Sequence, residues 1–159
     1  MAKLMAKKPD NTSAHFSYRE LRCHTADGRD CPHCGGMNLC TPALLDALED
    51  LRLVAGGVPI FVDSAYRCAA HNAEVGGAAN SQHTRGTAAD IRISGMSARQ
   101  MYDAARLVTA FLHGGIGVAV YQNYIHVDVR LQTARWCYDA AGSQCAWDPA
   151  LDRPETVST

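Results

Sequence analysis

Neither sign of charge dominates this sequence. Fifteen lysines and arginines stand against 16 aspartates and glutamates, leaving a net charge of −1 with the histidines neutral. Such a chain has no basic field to gather nucleic acid or an anionic membrane, and neither is expected as a partner. No stretch is long and apolar enough to cross a bilayer. The opening residues, Met1 to Phe16, hold Lys3, Lys7 and Lys8 but no apolar run of the secretory type. The expectation is a soluble, monomeric protein made in the cytoplasm, leaving by another route such as host-cell lysis or a dedicated secretion device. Internal repeats and low-complexity blocks are missing as well. With 159 residues, 47% of them hydrophobic, the chain can build one globular core but not two.

Residues 1–13 are polar and lysine-rich and read as a flexible arm. Residues 14–147 read as the folded domain, with a cysteine-rich loop over 23–40, and residues 148–159 as a loose tail. Thr41-Pro42 opens a helix, with Leu44, Leu48 and Leu51 at helical spacing and Gly56-Gly57 as its stop. Val58–Val62 is a short β-type run, and Ala69–Val75 a short helix. Thr87–Ile93 alternates, with Ala89, Ile91 and Ile93 on one face and Ala88, Asp90 and Arg92 on the other. Ser97 caps a second long helix that reaches Leu112 and stops at Gly114-Gly115. Ile116–Tyr121 and Ile125–Leu131 form two strands around Gln122-Asn123. This order predicts an α+β fold, a small antiparallel sheet with helices packed on one side.

The chemistry concentrates in Ser81-Gln82-His83-Thr84-Arg85-Gly86-Thr87-Ala88-Ala89-Asp90 and in Tyr124-Ile125-His126-Val127-Asp128-Val129-Arg130. Gly86 permits a tight turn that folds His83 back over the strand carrying Asp90. Period two puts Tyr124, His126 and Asp128 on one face of the last strand, with Ile125, Val127 and Val129 on the other. If the two strands are neighbours, His83, Asp90 and His126 meet. Two imidazoles and a carboxylate form the ligand set of a catalytic zinc with one position open to water. Plainer readings stand beside this one: a core histidine, a turn carboxylate at Asp90, an Asp128–Arg130 ion pair, an Asp63–Arg67 ion pair.

Ser81-x-His83-x-x-Gly86-x-Ala88-x-Asp90 resembles the signature of the zinc D-alanyl-D-alanine carboxypeptidases, which share the hedgehog-type fold. Ser64-Ala65-Tyr66-Arg67-Cys68, His71-Asn72, Val75-Gly76-Gly77-Ala78, Gly115-Ile116-Gly117, Tyr121, His126-Val127-Asp128-Val129-Arg130 and Arg135-Trp136 carry the resemblance further, from about Phe16 to Trp136. It implies His83, Asp90 and His126 as zinc ligands, Arg67 facing the substrate carbonyl or carboxylate, and Ser81 lining the cleft, where Tyr124 is also assigned. Several relatives carry a glutamate base three residues before the last histidine; here that position is Asn123. A carboxylate is still needed to move the water's proton, and Asp128 is the candidate. Its rival role is to orient an imidazole or to pair with Arg130. Glu74 and His71 are weaker candidates. The implied activity is hydrolysis of bacterial peptidoglycan stem peptides, at a terminal D-alanine or at an internal crosslink, with a phage-type endolysin as the setting. The alternatives are a zinc-containing binding module without chemistry and a phage structural part on the same fold.

The seven cysteines leave three readings open. Cys31-Pro32-His33-Cys34, with Cys23 before and Cys40 after, suits a second, structural zinc, or disulfides, or free thiols. A link from this loop to Cys68 would fix the cleft wall beside Arg67. Cys137 and Cys145 flank a Gly-Ser loop that a bridge would close.

Overall fold

The structure, a computed structural model, describes residues 11–155. Of the arm and the tail expected from the sequence, residues 1–10 and 156–159 lie outside the described residues. The helices are α1 (Tyr18–Leu21), α2 (Pro42–Val54), α3 (Ala69–Glu74), α4 (Ala98–Ala105) and α5 (Thr109–Leu112). The strands are β1 (Ile60–Ser64), β2 (Ala88–Ile93), β3 (Gly115–Ala119), β4 (Tyr124–Asp128), β5 (Ala134–Tyr138) and β6 (Gln144–Cys145). They form one sheet in the order β1-β2-β4-β3-β5-β6, antiparallel except for the parallel β3–β5 pair. The fold is the α+β class that the hydrophobic pattern predicts.

Local chemistry sets the helix starts. The Thr41 hydroxyl accepts the Leu44 N–H, and Pro42 occupies the first turn, where no N–H is needed. Leu44, Leu48 and Leu51 of α2 are fully buried. Ser97 and Gln100 close a reciprocal cap at the head of α4. The second long helix expected from Ser97 to Leu112 is two pieces. It ends at Ala105, Val108 stands extended with φ −93° and ψ 116°, and α5 restarts at Thr109. The Leu107-Val108-Thr109 run carries two β-branched side chains, which favour that extended geometry. The break lets Val108 and Phe111 both reach the core.

The core lies between these helices and one face of the sheet, where Ile91, Ile93, Ile116, Val118, Ile125 and Val127 are all buried. The opposite face carries the polar set: Asp90 from β2, His126 and Asp128 from β4. Strands β5 and β6, which the sequence pattern did not announce, extend the sheet beyond β3. The hairpin between them sets Cys137 opposite Cys145. The C-terminal segment is packed rather than loose as far as it is described: residues 149–152 form a 3₁₀ turn that buries Leu151. At the other end, the Ser13 hydroxyl donates to Glu49.

Candidate metal centre

Strands β2 and β4 are neighbours, and their register sets Asp90 directly opposite His126. His83 arrives from the 3₁₀ turn Gln82–Arg85, which Ser81 caps by accepting the His83 N–H. Gly86 closes that turn with φ +70°, and a Cβ there would lie 1.9 Å from the Leu39 carbonyl oxygen. No other residue fits that position.

One ligand atom from each of His83, Asp90 and His126 lies within 4.8 Å of the others. Asp90 Oδ1 is 3.3 Å from His83 Nε2 and 3.0 Å from His126 Nδ1. A tetrahedral zinc with nitrogen and oxygen ligands at its usual bond lengths separates neighbouring ligand atoms by about 3.3 Å. Both spacings from Asp90 lie close to that value, as the donor set for such an ion requires. The remaining ring nitrogens are committed elsewhere. His83 Nδ1 donates to the Ala65 carbonyl at 2.7 Å, and His126 Nε2 donates to Asp128 Oδ2 at 2.8 Å. Those bonds fix both tautomers, leaving a bare nitrogen of each ring turned toward Asp90.

Asp128 sits behind His126, not in front of it. It is fully buried. Besides the imidazole it accepts the Gly115 N–H at 3.0 Å, the Arg130 N–H at 3.1 Å, and Arg130 Nε and Nη2 at 2.8 and 2.6 Å. Burial opposes its charge, but His126 and Arg130 outweigh burial and hold the carboxyl well below the usual carboxylate range. Asp90 is likewise held low, burial being overcome by His83 and His126. For His126, burial works against protonation, while Asp128 and Asp90 raise its pKa overall.

The sheet makes room for this arrangement with two glycines. Gly115 pairs with Asp128 and Gly117 with His126 across the β3–β4 register. A Cβ on Gly115 would fall 2.3 Å from the Asp128 carboxylate, and one on Gly117 would fall 2.4 Å from the Trp136 indole nitrogen. Trp136 in turn lies against the His126 ring, centroids 5.0 Å apart, with the Arg130 guanidinium over its face.

His83, Asp90 and His126 open onto a cleft of about 780 Å³. Arg67, Ser81, Arg130, Arg135, Trp136 and Tyr138 are among its walls, and Asp90 is its one carboxylate among the described residues. Arg67 makes no pair with Asp63, whose carboxylate is held by Arg92 at 2.7 and 2.9 Å. Its Nε is buried without a partner among the described residues.

The expected site residues thus divide. His83, Asp90 and His126 come together, with Arg67 and Ser81 in the same cleft. Tyr124 is not in the cleft lining; its ring packs on Tyr138, 5.6 Å away, and Tyr138 is the phenol that faces the opening. Asn123 stands at the β3–β4 turn with φ +56°, its side-chain oxygen accepting the Ala98 N–H at the head of α4. Glu74 pairs with His33 at 2.6 Å and lies near His71, outside the cleft wall. Tyr138 was missed because β5 follows an irregular segment and shows no clean alternation.

A second convergence joins Cys23, Cys31, Cys34 and Cys68. The expected fourth member, Cys40, is not part of it. The chain runs away from the Cys31–Cys34 turn toward α2, and Cys40 is buried with its sulfur 3.8 Å from the Leu21 carbonyl. Cys68 replaces it, returning from the end of β1.

Two comparisons with known proteins bear on this centre. The model of one peptidase family, Peptidase M15, matches residues 14–128, a span that contains all three metal-facing residues and Asp128. No curated protein matches the chain.

Proposed function

The chain belongs to the Peptidase M15 family, and on that premise we propose that it is a zinc peptidase hydrolysing stem-peptide bonds of bacterial peptidoglycan. The observation that carries the reading is the His83–Asp90–His126 convergence at the floor of an arginine-walled cleft. Zinc held by these residues would polarise a scissile carbonyl and lower the pKa of a bound water. The rest of the work falls to the chain. Arg67, with its unpartnered Nε, holds the substrate's carbonyl oxygen or terminal carboxylate. Arg135 adds positive charge along the same wall, while Arg130 is paired with Asp128; the remaining charge favours a peptide ending in a carboxylate over an uncharged one. This supports D-alanyl-D-alanine carboxypeptidase action ahead of internal crosslink cleavage. Ser81 and Tyr138 offer hydroxyls to the peptide backbone.

Of the two roles open to Asp128, the geometry supports positioning. Its oxygens are taken up by His126, Gly115 and Arg130 on the far side of the ring from Asp90. In that place it holds the His126 tautomer rather than taking a proton from the cleft.

One observation favours a second reading. Among the described residues, the cleft wall offers no carboxylate beyond Asp90 to serve as a proton shuttle. A binding module that keeps the metal without the chemistry matches that lack. Cytoplasmic synthesis followed by phage-type release onto the wall belongs to the proposal and rests on the sequence alone.

Purified peptidoglycan of several wall chemotypes, incubated with zinc-loaded protein, distinguishes the readings. Released D-alanine or new amino groups, abolished by chelator and restored by zinc, supports the peptidase. Binding to the wall without released amines or D-alanine on every chemotype supports the module and overturns the peptidase.

A further inference from the structure

We propose that Cys23, Cys31, Cys34 and Cys68 bind a second, structural zinc ion that anchors the Arg67 wall of the cleft to the N-terminal loop. All four sulfurs lie within 4.8 Å of one another, and Cys31 Sγ is 3.7 Å from Cys68 Sγ. Zinc–sulfur bonds of about 2.3 Å in a tetrahedron place neighbouring sulfurs about 3.8 Å apart. Two disulfides would instead split the four into separate pairs bonded at about 2.05 Å and give no reason for all four to converge.

The surroundings are built for thiolates. Cys31-Pro32-His33-Cys34 folds into a tight turn closed by the Gly35 N–H on the Cys31 carbonyl at 2.7 Å. Backbone N–H groups point at the sulfurs: that of Cys68 donates to Cys23 Sγ at 3.4 Å and that of His71 to Cys68 Sγ at 3.5 Å. Such N–H···S contacts orient the ligands and offset the charge of a four-thiolate site. His33 is not a competing ligand, since its Nε2 is 2.6 Å from Glu74 of α3. That pair ties the same turn to the same helix from outside.

The placement gives the ion a task. Three ligands come from the loop before α2. The fourth, Cys68, caps α3 and directly follows Arg67, whose backbone N–H donates to the His83 carbonyl at 3.2 Å. Without a shared ion, the loop is joined to this corner of the cleft by the thiol contacts, the His33–Glu74 pair and the Tyr66 N–H on the Leu21 carbonyl. With it, the backbone carrying Arg67 is fixed from both sides. Binding releases the thiol protons, so it strengthens as pH rises.

This proposal is independent of the catalytic reading and is tested by metal content. The full chain, purified under reducing conditions with zinc present, should hold about two zinc equivalents. His126→Ala should hold about one, and Cys34→Ser about one. The variant His83→Ala/His126→Ala keeps all four cysteines and avoids any folding defect caused by a cysteine change. Loaded with cobalt, it should show the intense near-ultraviolet bands of sulfur-to-metal charge transfer. One equivalent in the wild-type chain that Cys34→Ser leaves in place, no charge-transfer bands in the double histidine variant, or disulfides among these four residues in non-reducing peptide maps would each overturn the proposal.

Discussion

Asp128 donates no group to the cleft; it braces His126 from behind, 2.8 Å from Nε2, with its own carboxylate clamped by Arg130 and the Gly115 N–H. A carboxylate in that place sets the orientation and basicity of the imidazole. Removing such a partner typically costs 10–100-fold in metal affinity. Asp128→Asn should therefore weaken zinc binding by about 10–100-fold and lower activity with it, read by competition against a chromophoric chelator. A variant that binds zinc as the wild type does while turnover collapses would return Asp128 to the role of proton shuttle.

Arg67 is the cation of the cleft whose Nε has no partner among the described residues. Arg67→Ala leaves the metal ligands untouched, so zinc content should match the wild type. Loss of a donor aimed at developing charge costs about 100-fold or more in turnover. If Arg67 instead grips a terminal carboxylate in the ground state, the loss appears mainly in KM. Arg67→Lys should rescue little in either case, because an ammonium cannot replace a planar two-point donor. Steady-state kinetics on a synthetic stem peptide, with and without a free terminal carboxylate, separates the two.

Gly117 holds space for an indole. A methyl group there would meet the Trp136 ring at 2.4–2.9 Å, and Trp136 lies against His126. Overpacking of this kind costs about 1–3 kcal/mol. Gly117→Ala should lower stability by that amount in chemical denaturation and weaken zinc binding as the ring shifts. Pairing it with Trp136→Phe, which frees the clashing edge, should recover part of both losses; purely additive losses would mean that the strain lies elsewhere.

The convergence of His83, Asp90 and His126 was legible because its parts obey local rules. Alternation along β2 and β4 assigns Asp90 and His126 to the same side, and a glycine turn returns His83 to it. What stayed hidden depends on contacts with no local trace. A link from the loop to Cys68 was expected, but its place as the fourth member of the cluster was not: α2 and β1 separate it from the turn, whereas Cys40 is nearer in sequence. Strand β5 is parallel to β3 and reached through an irregular segment, so Tyr138 could not be preferred to Tyr124. The break between α4 and α5 turns on the extended Val108, which is buried in the core with Phe111, and helical spacing alone runs straight through it. Asp128 was placed on the correct face, but a face does not tell front from back of an imidazole ring.

The C-terminal segment supplies a pH-sensitive clasp. Asp152 accepts from the Tyr102 hydroxyl at 2.7 Å and from the Trp147 indole at 2.9 Å, with Arg106 at 3.4 Å. These groups, the Tyr102 hydrogen bond first, lower its pKa below the ordinary carboxylate value. A carboxyl whose folded pKa is depressed contributes stability that is present above its unfolded pKa. That contribution is lost as pH falls through the folded value. The clasp should therefore be intact at neutral pH and loosen in acid, exposing the Leu151 contact. Asp152→Asn should remove the acid dependence of this segment while leaving that of the rest of the fold. Because the group is largely exposed, salt should shrink the effect. Trp147 fluorescence and amide exchange of residues 147–153, followed from neutral to acidic pH in both proteins, read it directly. An acid transition in this segment that is the same in the variant would show that another group controls it.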